Sequence, residues 1–301
     1  MILPMENIGQ TDKRTRSEGG ERLHPDTQLG IVHLTVVDME RSLAFYEGVS
    51  GFQVQKQLGN TTSLSTGKRD LLKITEVPGA VHVPRRTGLY HFAILLPSRL
   101  DLALCLRSLV EIQVPLQGAA DHLVSEALYL ADPDGNGIEI YRDRPRDKWE
   151  YENGTLKMGT DPVDVQGLLA ELENSTDNWQ GLPKNTRLGH MHLHVARLPE
   201  AVEFYEKVLG FDLLLNYGDS AAFLSAGGYH HHIGINTWNG VGAAPPPIDS
   251  VGLRYFTILV PEQREMNELI KRLERAQVHY EERKDGIFMH DPSNNGIFVH
   301  V

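Results

Sequence analysis

Residues 121–141 read Asp-His-Leu-Val-Ser-Glu-Ala-Leu-Tyr-Leu-Ala-Asp-Pro-Asp-Gly-Asn-Gly-Ile-Glu-Ile-Tyr. An apolar run is followed by a turn-forming segment and then by alternating Ile-Glu-Ile-Tyr, which predicts two antiparallel strands joined by a tight turn. Glu139 falls on the strand face opposite to Ile138 and Ile140. If that face lines a concave interior, the buried carboxylate needs a cation or strong donors. A solvated edge strand is the alternative.

The turn and its flanking strands belong to an internal repeat. The repeated segments are 88–95 with 252–259, 132–140 with 291–299, and 29–36 with 188–195. In the later copies, Tyr255 occupies the position of His91 and Phe298 the position of Glu139. The sequence therefore predicts four modules in the order A, B, A′, B′, and module B′ has lost both of the metal-competent side chains of module B.

Each module is predicted to fold as βαβββ. The predicted elements of module A are strand Ile31–Val37, a helix from the N-cap Asp38 to Gly51, and strands Gln53–Leu58, Thr62–Ser65 and Leu71–Thr75; those of module B are strand Tyr90–Leu96, a helix over about Arg99–Leu109, a strand near Val114 and the two strands of the 121–141 stretch. One such unit exposes an apolar sheet face and must pair with another. We therefore predict an α+β fold of four modules that form two cup-like eight-stranded barrels.

The length of 301 residues favours about two domains. We predict a disordered N-terminal lead over 1–28, a first domain over 29–143, a linker over 144–187 and a second domain over 188–301. The linker carries one short amphipathic helix at about Val163–Leu172 and can lie across the mouth of a neighbouring cup.

The composition excludes several classes of function. The formal net charge is −11 and the basic residues are scattered, which disfavours nucleic acid and anionic membranes as partners. No apolar run approaches the roughly 20 residues needed to span a bilayer. The single cysteine, Cys105, excludes an intrachain disulfide and predicts a reducing, cytoplasmic location; it is expected to be a small buried hydrophobe.

Histidines at strand starts and one strand carboxylate can form a two-histidine, one-carboxylate set, which binds one face of an octahedral Fe(II). The four-module plan resembles the vicinal oxygen chelate superfamily (glyoxalase, bleomycin resistance protein, dioxygenase). The spacing of His122, Tyr129 and Glu139 resembles the signature of the type I extradiol ring-cleaving dioxygenases, although Ala120 is atypical of it. From Leu29 to Val301 the chain is similar to the catechol-2,3-dioxygenase-like proteins of bacilli.

The resemblance implies that Glu139 and His91 are metal ligands. The third ligand of the family, a histidine, lies at the start of an A-type module, where module A has Ile31 and module A′ has His190. We therefore predict that module B pairs with A′ and that His91, Glu139 and His190 bind the metal. The alternative pairs A with B and uses His33 as the third ligand.

The resemblance also implies the catalytic residues. His231 corresponds to the family's acid/base histidine, whereas module A has Asp70 there. Strand alternation and the alignment favour His231 over its two flanking histidines. Tyr129 and His122 are expected to donate hydrogen bonds to the substrate. The function implied is cleavage of a small aromatic diol by O2 to a hydroxymuconic semialdehyde, with Fe(II) as cofactor and Mn(II) as the alternative.

Two other groups of residues are expected to pack rather than to react. His192 and His194 share the strand face of His190 and are expected to fill the cup. Tyr46 and Tyr205 lie at helical spacing with neighbouring apolar residues, which is typical of core positions.

Two other functions are alternatives. A glyoxalase-like isomerase or thiol transferase would prefer a second carboxylate, and a bleomycin-resistance-like protein would bind a drug without a metal. Neither accounts for the full His-Tyr-Glu signature. The sequence leaves open the ring substituents, the choice between Fe(II) and Mn(II), the choice between His190 and His33, and whether the chain forms a homo-oligomer.

Overall fold

The computed structural model describes residues 22–173 and 175–301. The first half contains β1 (Gln28–Val36), α1 (Met39–Gly48), β2 (Gln53–Leu58), β3 (Thr61–Ser65), β4 (Asp70–Glu76), β5 (Gly88–Leu95), α2 (Arg99–Glu111), β6 (Gly118–Asp121), β7 (Ser125–Ala131) and β8 (Gly137–Asp143). The linker contains a 3-10 turn (Arg146–Lys148), β9 (Tyr151–Glu152), β10 (Thr155–Leu156) and α3 (Val165–Ala170). The predicted linker helix is therefore present, with shorter bounds.

The second half repeats this plan. It contains β11 (Arg187–His194), α4 (Leu198–Glu203), a π-helical segment (Phe204–Leu209), β12 (Asp212–Tyr217), β13 (Ala221–Ser225), β14 (Ile233–Asn236), β15 (Gly252–Leu259), α5 (Gln263–Arg275), β16 (Tyr280–Arg283), β17 (Gly286–His290) and β18 (Gly296–His300). None of the helices in the described residues is both long and apolar enough to cross a bilayer.

The strands form two curled eight-stranded sheets, as the predicted fold class requires. One sheet, here the A/B′ cup, has the order β16-β17-β18-β15-β1-β4-β3-β2; the other, the B/A′ cup, has the order β12-β13-β14-β11-β5-β8-β7-β6. The pairing of module B with A′ is thus confirmed, and the rival pairing of A with B is wrong. Each cup takes one module from each half, so the predicted domains 29–143 and 188–301 are repeats in sequence, and neither contains an eight-stranded sheet on its own.

Alternation along the central strands separates a core face from a cup face. The core-facing side chains of β1, β5, β11 and β15 belong to one hydrophobic cluster shared by the two cups, including Val32, Leu34, Phe92, Ile94, Met191, Leu193, Phe256 and Ile258. Full burial of each such side chain contributes about 1.5–3 kcal/mol. The intervening residues on these strands, among them His91 and His190, consequently face the cup interiors.

A buried aspartate organises each of the two repeated turns. Asp132 accepts hydrogen bonds from the backbone and the side chain of Asn136, both at 2.8 Å, and from the Tyr46 hydroxyl at 2.8 Å. In the second half, Asp291 accepts the Tyr205 hydroxyl at 3.0 Å. Tyr46 and Tyr205 are fully buried, as predicted. Because modules A and B contribute to different cups, each Tyr–Asp bond joins the two cups.

Two local predictions are wrong in detail. The carboxylate of Asp38 does cap α1 by accepting the backbone N–H of Arg41 at 2.7 Å, but the helix ends at Gly48 rather than Gly51. The strand expected near Val114 begins only at Gly118, because the N–H of Val114 donates back to the carbonyl of Leu109 at the end of α2.

The end of the predicted N-terminal lead is also ordered. Leu23 is 6% exposed, and its N–H donates to the carbonyl of Gly210 at 2.8 Å. Arg22 donates to the carbonyl of Phe211 at 2.7 Å, and β1 begins at Gln28. Composition missed this contact because a single apolar residue anchors the segment. The remainder of the predicted lead, 1–21, lies outside the described residues.

Cys105 is buried in α2, as predicted, and burial raises the pKa of its thiol to about 12. A thiol with this pKa is inert at neutral pH. Cys105 therefore acts as a small core residue.

Candidate metal centre

Three adjacent strands of the B/A′ cup bring His91, Glu139 and His190 together. On one side of β5, Ala93 pairs with Glu139 of β8, and on the other side it pairs with His190 of β11. The small, fully buried side chain of Ala93 leaves room between these two neighbours. His91 lies two residues earlier on β5, on the same face. Residues far apart in the sequence are thus brought to one level of the cup.

The three side chains converge within a short distance of one another. Nε2 of His91 and Nε2 of His190 each lie 3.0 Å from Oε2 of Glu139, and the three ligand atoms all lie within 4.8 Å of one another. All three side chains are buried. Nε2 of His91 is buried without a hydrogen-bond partner despite its approach to Glu139. An orphaned nitrogen beside a buried carboxylate fits a divalent metal, whose ligands would be these three residues.

The electrostatics of the centre suit a cation. Burial lowers the pKa of His91 and of His190, so the two imidazoles are neutral, as metal ligands must be. Burial on its own would raise the pKa of Glu139, but the neighbouring His190 and His91 hold it well below its usual range. Glu139 therefore stays ionised at neutral pH and, together with the lone pairs of two neutral imidazoles, offers a buried divalent cation one negative charge.

His33, the alternative to His190, lies in the other cup. It pairs with Tyr255 across β1 and β15, and its Nε2 lies 2.8 Å from the hydroxyl of Thr75. Burial lowers the pKa of His33 to about 3. The structure therefore brings His190, and not His33, to His91 and Glu139.

His231 lies beside the candidate ligands. Its ring centroid is 4.1 Å from that of His190 and 5.0 Å from that of Phe223. The histidine triplet lies in the loop before β14, so the strand alternation used to choose the middle histidine does not apply there. Burial, and then the nearby His190, lower the pKa of His231 well below its usual value.

His122 and Tyr129 form a hydrogen-bonded pair at the edge of the site. Nδ1 of His122 lies 2.7 Å from the carbonyl of Gly159, and Nε2 lies 2.6 Å from the Tyr129 hydroxyl. A carbonyl only accepts, so Nδ1 carries the proton, and in the neutral ring Nε2 accepts from Tyr129. This differs from the expectation that both residues donate to the substrate, because Gly159 of the linker fixes the tautomer of His122.

Aromatic side chains form the wall next to the ligands. The ring of His192 lies 5.0 Å from that of Tyr90 and 5.4 Å from that of Trp238, while Nδ1 of His194 lies 2.7 Å from the side-chain oxygen of Asn236. His192 and His194 therefore pack against the wall, as expected. Trp238 is 45% exposed and lies at the boundary between this wall and solvent.

Several residues around the site were missed from the sequence. Asp143, Tyr141, Tyr229 and His230 form a hydrogen-bonded group next to His231. Strand alternation places Tyr141 on the face of Glu139 on β8, and continued by two residues it could have found Asp143 as well. The contribution of the Gly159 carbonyl had no signal, since every residue carries a backbone carbonyl.

Comparison with known proteins places the chain in a family. The model of the Glyoxalase/Bleomycin resistance protein/Dioxygenase superfamily matches residues 28–140 and 187–295. The chain belongs to this superfamily. The two matched ranges correspond to the two halves of the chain, and the four βαβββ modules are the superfamily's repeated unit.

One curated protein and two solved structures are similar to this chain. The chain is 47% identical over 284 residues to a catechol-2,3-dioxygenase of Bacillus subtilis (strain 168), covering 93% of this chain and 99% of that protein. The structure resembles glyoxalase I from Zea mays with a TM-score of 0.56 at 14% identity, covering 91% and 92% of the two chains. It also resembles the cppA protein of Streptococcus pneumoniae TIGR4, with a TM-score of 0.53 at 14% identity and coverage of 91% and 97%. The two structural similarities concern the fold alone.

Proposed function

We propose that this chain is a non-haem, Fe(II)-dependent extradiol dioxygenase that cleaves the ring of a catechol-type diol with O2. The observation that carries the proposal is the buried convergence of His91, Glu139 and His190. The 47% identical relative named catechol-2,3-dioxygenase supports the substrate class. The product from catechol would be a hydroxymuconic semialdehyde that contains all atoms of the diol and of O2.

The two histidines and Glu139 would hold the metal on one face and leave neighbouring positions open, which is the donor set of non-haem Fe(II) oxygenases. Fe(II) bound there would acidify the diol and pass electron density from the ring to O2. The Glu139 carboxylate would offset part of the metal's charge, and the neutral imidazoles of His91 and His190 would each supply a lone pair. Mn(II) suits carboxylate ligands as well and is the alternative metal.

His231 is proposed to move the proton of the diol. Its lowered pKa keeps the ring neutral at the start of the reaction, so one ring nitrogen can accept a proton. The imidazolium that forms could then return this proton as the ring opens.

His122 and Tyr129 are proposed to bind a substrate oxygen in two steps. With His122 neutral, the Tyr129 O–H donates to Nε2 of His122, and only the Tyr129 oxygen is available as an acceptor. Transfer of the second hydroxyl proton of the diol to Nε2 would reverse this bond and free the Tyr129 O–H for a substrate oxygen. Burial and the charge of Glu139 raise the pKa of Tyr129 well above its usual value, so the hydroxyl keeps its proton.

The other two functions account less well for the site. A metal-free drug-binding cup gains nothing from a carboxylate buried between two imidazoles. A glyoxalase-like isomerase would prefer a second carboxylate. The metal-competent group found among the described residues contains one carboxylate, that of Glu139.

The proposal is tested on protein purified without oxygen. The iron content is measured first, and then O2 uptake and the appearance of a yellow ring-fission product are followed after catechol is added. About one iron per chain and one O2 consumed per product molecule are expected. Metal-free protein that stays inactive after Fe(II) is supplied would contradict the proposal and favour the binding-protein alternative.

The role of His231 is tested separately. The variant His231→Ala should keep its iron but lose about 10²- to 10⁴-fold in kcat, because it lacks only the proton-transfer group. The matched control is Asp70→Ala, because Asp70 occupies the corresponding position in module A. This variant should keep both its iron and its kcat. If His231→Ala lost its iron as Glu139→Ala is expected to do, the division of roles would be wrong.

A further inference from the structure

A chain of hydrogen bonds leads from β8 to His231. Nε2 of His230 lies 2.9 Å from Oδ1 of Asp143, and Nδ1 of His230 lies 2.8 Å from Nδ1 of His231. The side chain of His230 is 1% exposed and that of Asp143 is 23% exposed, so the contact between the two histidines is the one shielded from bulk water. His231 has only Nε2 left for other partners.

The hydrogen-bond donors can be assigned by starting from Asp143. An ionised carboxylate only accepts, so Nε2 of His230 donates to Asp143. When the ring of His230 is neutral, its Nδ1 is an acceptor, and the proton between the two histidines then belongs to Nδ1 of His231. Nε2 of His231 consequently carries a lone pair.

We infer that Asp143 and His230 hold His231 in the tautomer whose Nε2 accepts the proton of the substrate. The inference rests on the proposed function of His231 as the proton acceptor. Asp143 and His230 are positioning residues, since they act only through His231. With the opposite tautomer, Nε2 of His231 would carry a proton at the start and could not act as a base.

Two tyrosines and the linker keep the chain of hydrogen bonds in place. The Tyr229 hydroxyl donates to Oδ1 of Asp143 at 3.2 Å and accepts from the Tyr141 hydroxyl at 2.6 Å. The ring of Trp149, from the linker, lies 5.7 Å from that of His230. Both tyrosines have pKa values raised well above the usual range, by burial and by neighbouring groups that include Asp143, so both hydroxyls remain donors. Asp143 is thus held as an acceptor by two donors, Tyr229 and His230.

The small residue Gly189 makes this arrangement sterically feasible. A Cβ atom at this position would lie 1.7 Å from the Tyr141 hydroxyl oxygen. Gly189 directly precedes His190 on β11, so the close approach of Tyr141 to the backbone occurs next to a candidate ligand. The strand that positions His190, β11, therefore also fixes the position of Tyr141 in the hydrogen-bonded group.

The test compares Asp143→Leu with Asp143→Asn. Leucine fills the space but cannot accept a hydrogen bond, whereas the asparagine side-chain oxygen can still accept from His230 and Tyr229. Histidine side chains are labelled with ¹⁵N in the metal-free proteins, and the His231 signal is assigned by its loss in His231→Ala. The parent protein and Asp143→Asn should show the proton on Nδ1 of His231, and Asp143→Leu should lose this preference.

Kinetics of the iron-loaded variants provide the second readout. Asp143→Leu should lower kcat at least about tenfold, with KM and iron content close to those of the parent. His230 and Tyr229 both donate to Oδ1 of Asp143, so Asp143→Asn should keep most of the rate with its side-chain oxygen at that position. If Asp143→Leu does not fold, as judged by circular dichroism, His230→Phe replaces it, because phenylalanine keeps the ring volume and removes both nitrogens. The same loss of tautomer preference and rate is expected.

Two results would overturn the inference. One is a proton on Nε2 of His231 in the parent protein, and the other is an unchanged tautomer and rate in Asp143→Leu. The ¹⁵N measurement needs neither iron nor catechol, so it gives its answer even if the chain fails to cleave catechol. Failure of the proposed function and failure of this inference are thereby distinguished.

Discussion

In the B/A′ cup, β5 and β11 pair so that His91 lies opposite His192, and in the A/B′ cup, β15 and β1 pair so that Tyr255 lies opposite His33. Glu139 and Phe298 occupy corresponding positions on β8 and β18, each beside the central strand of its cup. The two cups therefore have the same backbone plan. Their chemistry differs because a few side chains on the cup faces differ.

The A/B′ cup replaces a charged centre with ring packing. The ring of Tyr255 lies 4.9 Å from that of His33 and 6.4 Å from that of Phe298. His33 keeps a hydrogen bond to Thr75, and Phe298 occupies the position that corresponds to Glu139. The comparison teaches that a duplicated fold can keep one metal-competent cup while its copy becomes structural. It also shows that a candidate centre built from both halves cannot be assigned to either half alone.

The largest expected effect is at the pair of corresponding positions Glu139 and Phe298. Glu139→Ala removes the only carboxylate of the candidate centre, so bound iron should fall from about one per chain to almost none, and turnover should fall by at least about 10³-fold. The matched variant Phe298→Ala should keep its iron and its turnover. Iron content and O2 uptake with catechol are measured for both. Retention of iron by Glu139→Ala would contradict the prediction that the B/A′ cup binds iron through Glu139 and that the A/B′ cup does not bind it.

Acid should weaken the B/A′ cup before the A/B′ cup. Burial lowers the pKa of His33 in the A/B′ cup. In the B/A′ cup burial lowers the pKa of six histidines: His91, His190, His192, His194, His231 and His232. As the pH falls below about 6.5, the unfolded chain binds protons that the folded chain does not. Each such group lowers the free energy of unfolding by up to about 1.4 kcal/mol per pH unit.

The pKa of Glu139 acts in the same direction at lower pH. It is held below its usual value in the folded chain, so its stabilisation is present above about pH 4.5 and is lost as the pH falls through the folded-state pKa. Hydrogen exchange of the metal-free protein is compared at about pH 7 and pH 5.5, after correction for the intrinsic rates. Protection should fall more in β5, β8, β11 and β14 than in β1, β4, β15 and β18. An equal fall in both cups would contradict this prediction.

The smallest effect is expected at the Tyr–Asp bonds that join the cups. Tyr46→Phe and Tyr205→Phe each remove one of several hydrogen bonds to a buried aspartate, which should lower the free energy of unfolding by about 1–2 kcal/mol in either half. Each variant is the control for the other. Urea unfolding of the metal-free proteins measures the change. A much larger cost in one half would show that the repeat is not energetically symmetric.

The repeat explains how much of the candidate site the sequence predicts. The repeat shows that module B′ has lost both His and Glu, and the resemblance to the superfamily implies a histidine ligand at position 190 of module A′. The two together predict that B pairs with A′. Strand alternation placed His91 and Glu139 on the cup faces. These inferences succeed because they depend on local periodicity, on comparison of one module with another and on the position of the family's ligands.

Other features depend on contacts that no local pattern encodes. The Gly159 carbonyl fixes the tautomer of His122 from the linker, and the packing of Trp149 near His230 comes from the same segment. The histidine triplet precedes its strand, so alternation did not describe it. The N–H of Val114 bonds back to α2, which delays the next strand to Gly118. In each case a tertiary or turn contact overrides the sequence pattern.

The central claim is that the metal centre is assembled from modules B and A′ and uses His190. The most direct test is the iron content of His190→Ala and His33→Ala, two histidine truncations on the first strands of corresponding modules, both purified without oxygen. The account predicts that His190→Ala loses iron and catechol cleavage, and that His33→Ala retains about one iron per chain and its activity. Loss of iron in His33→Ala with retention in His190→Ala would contradict it.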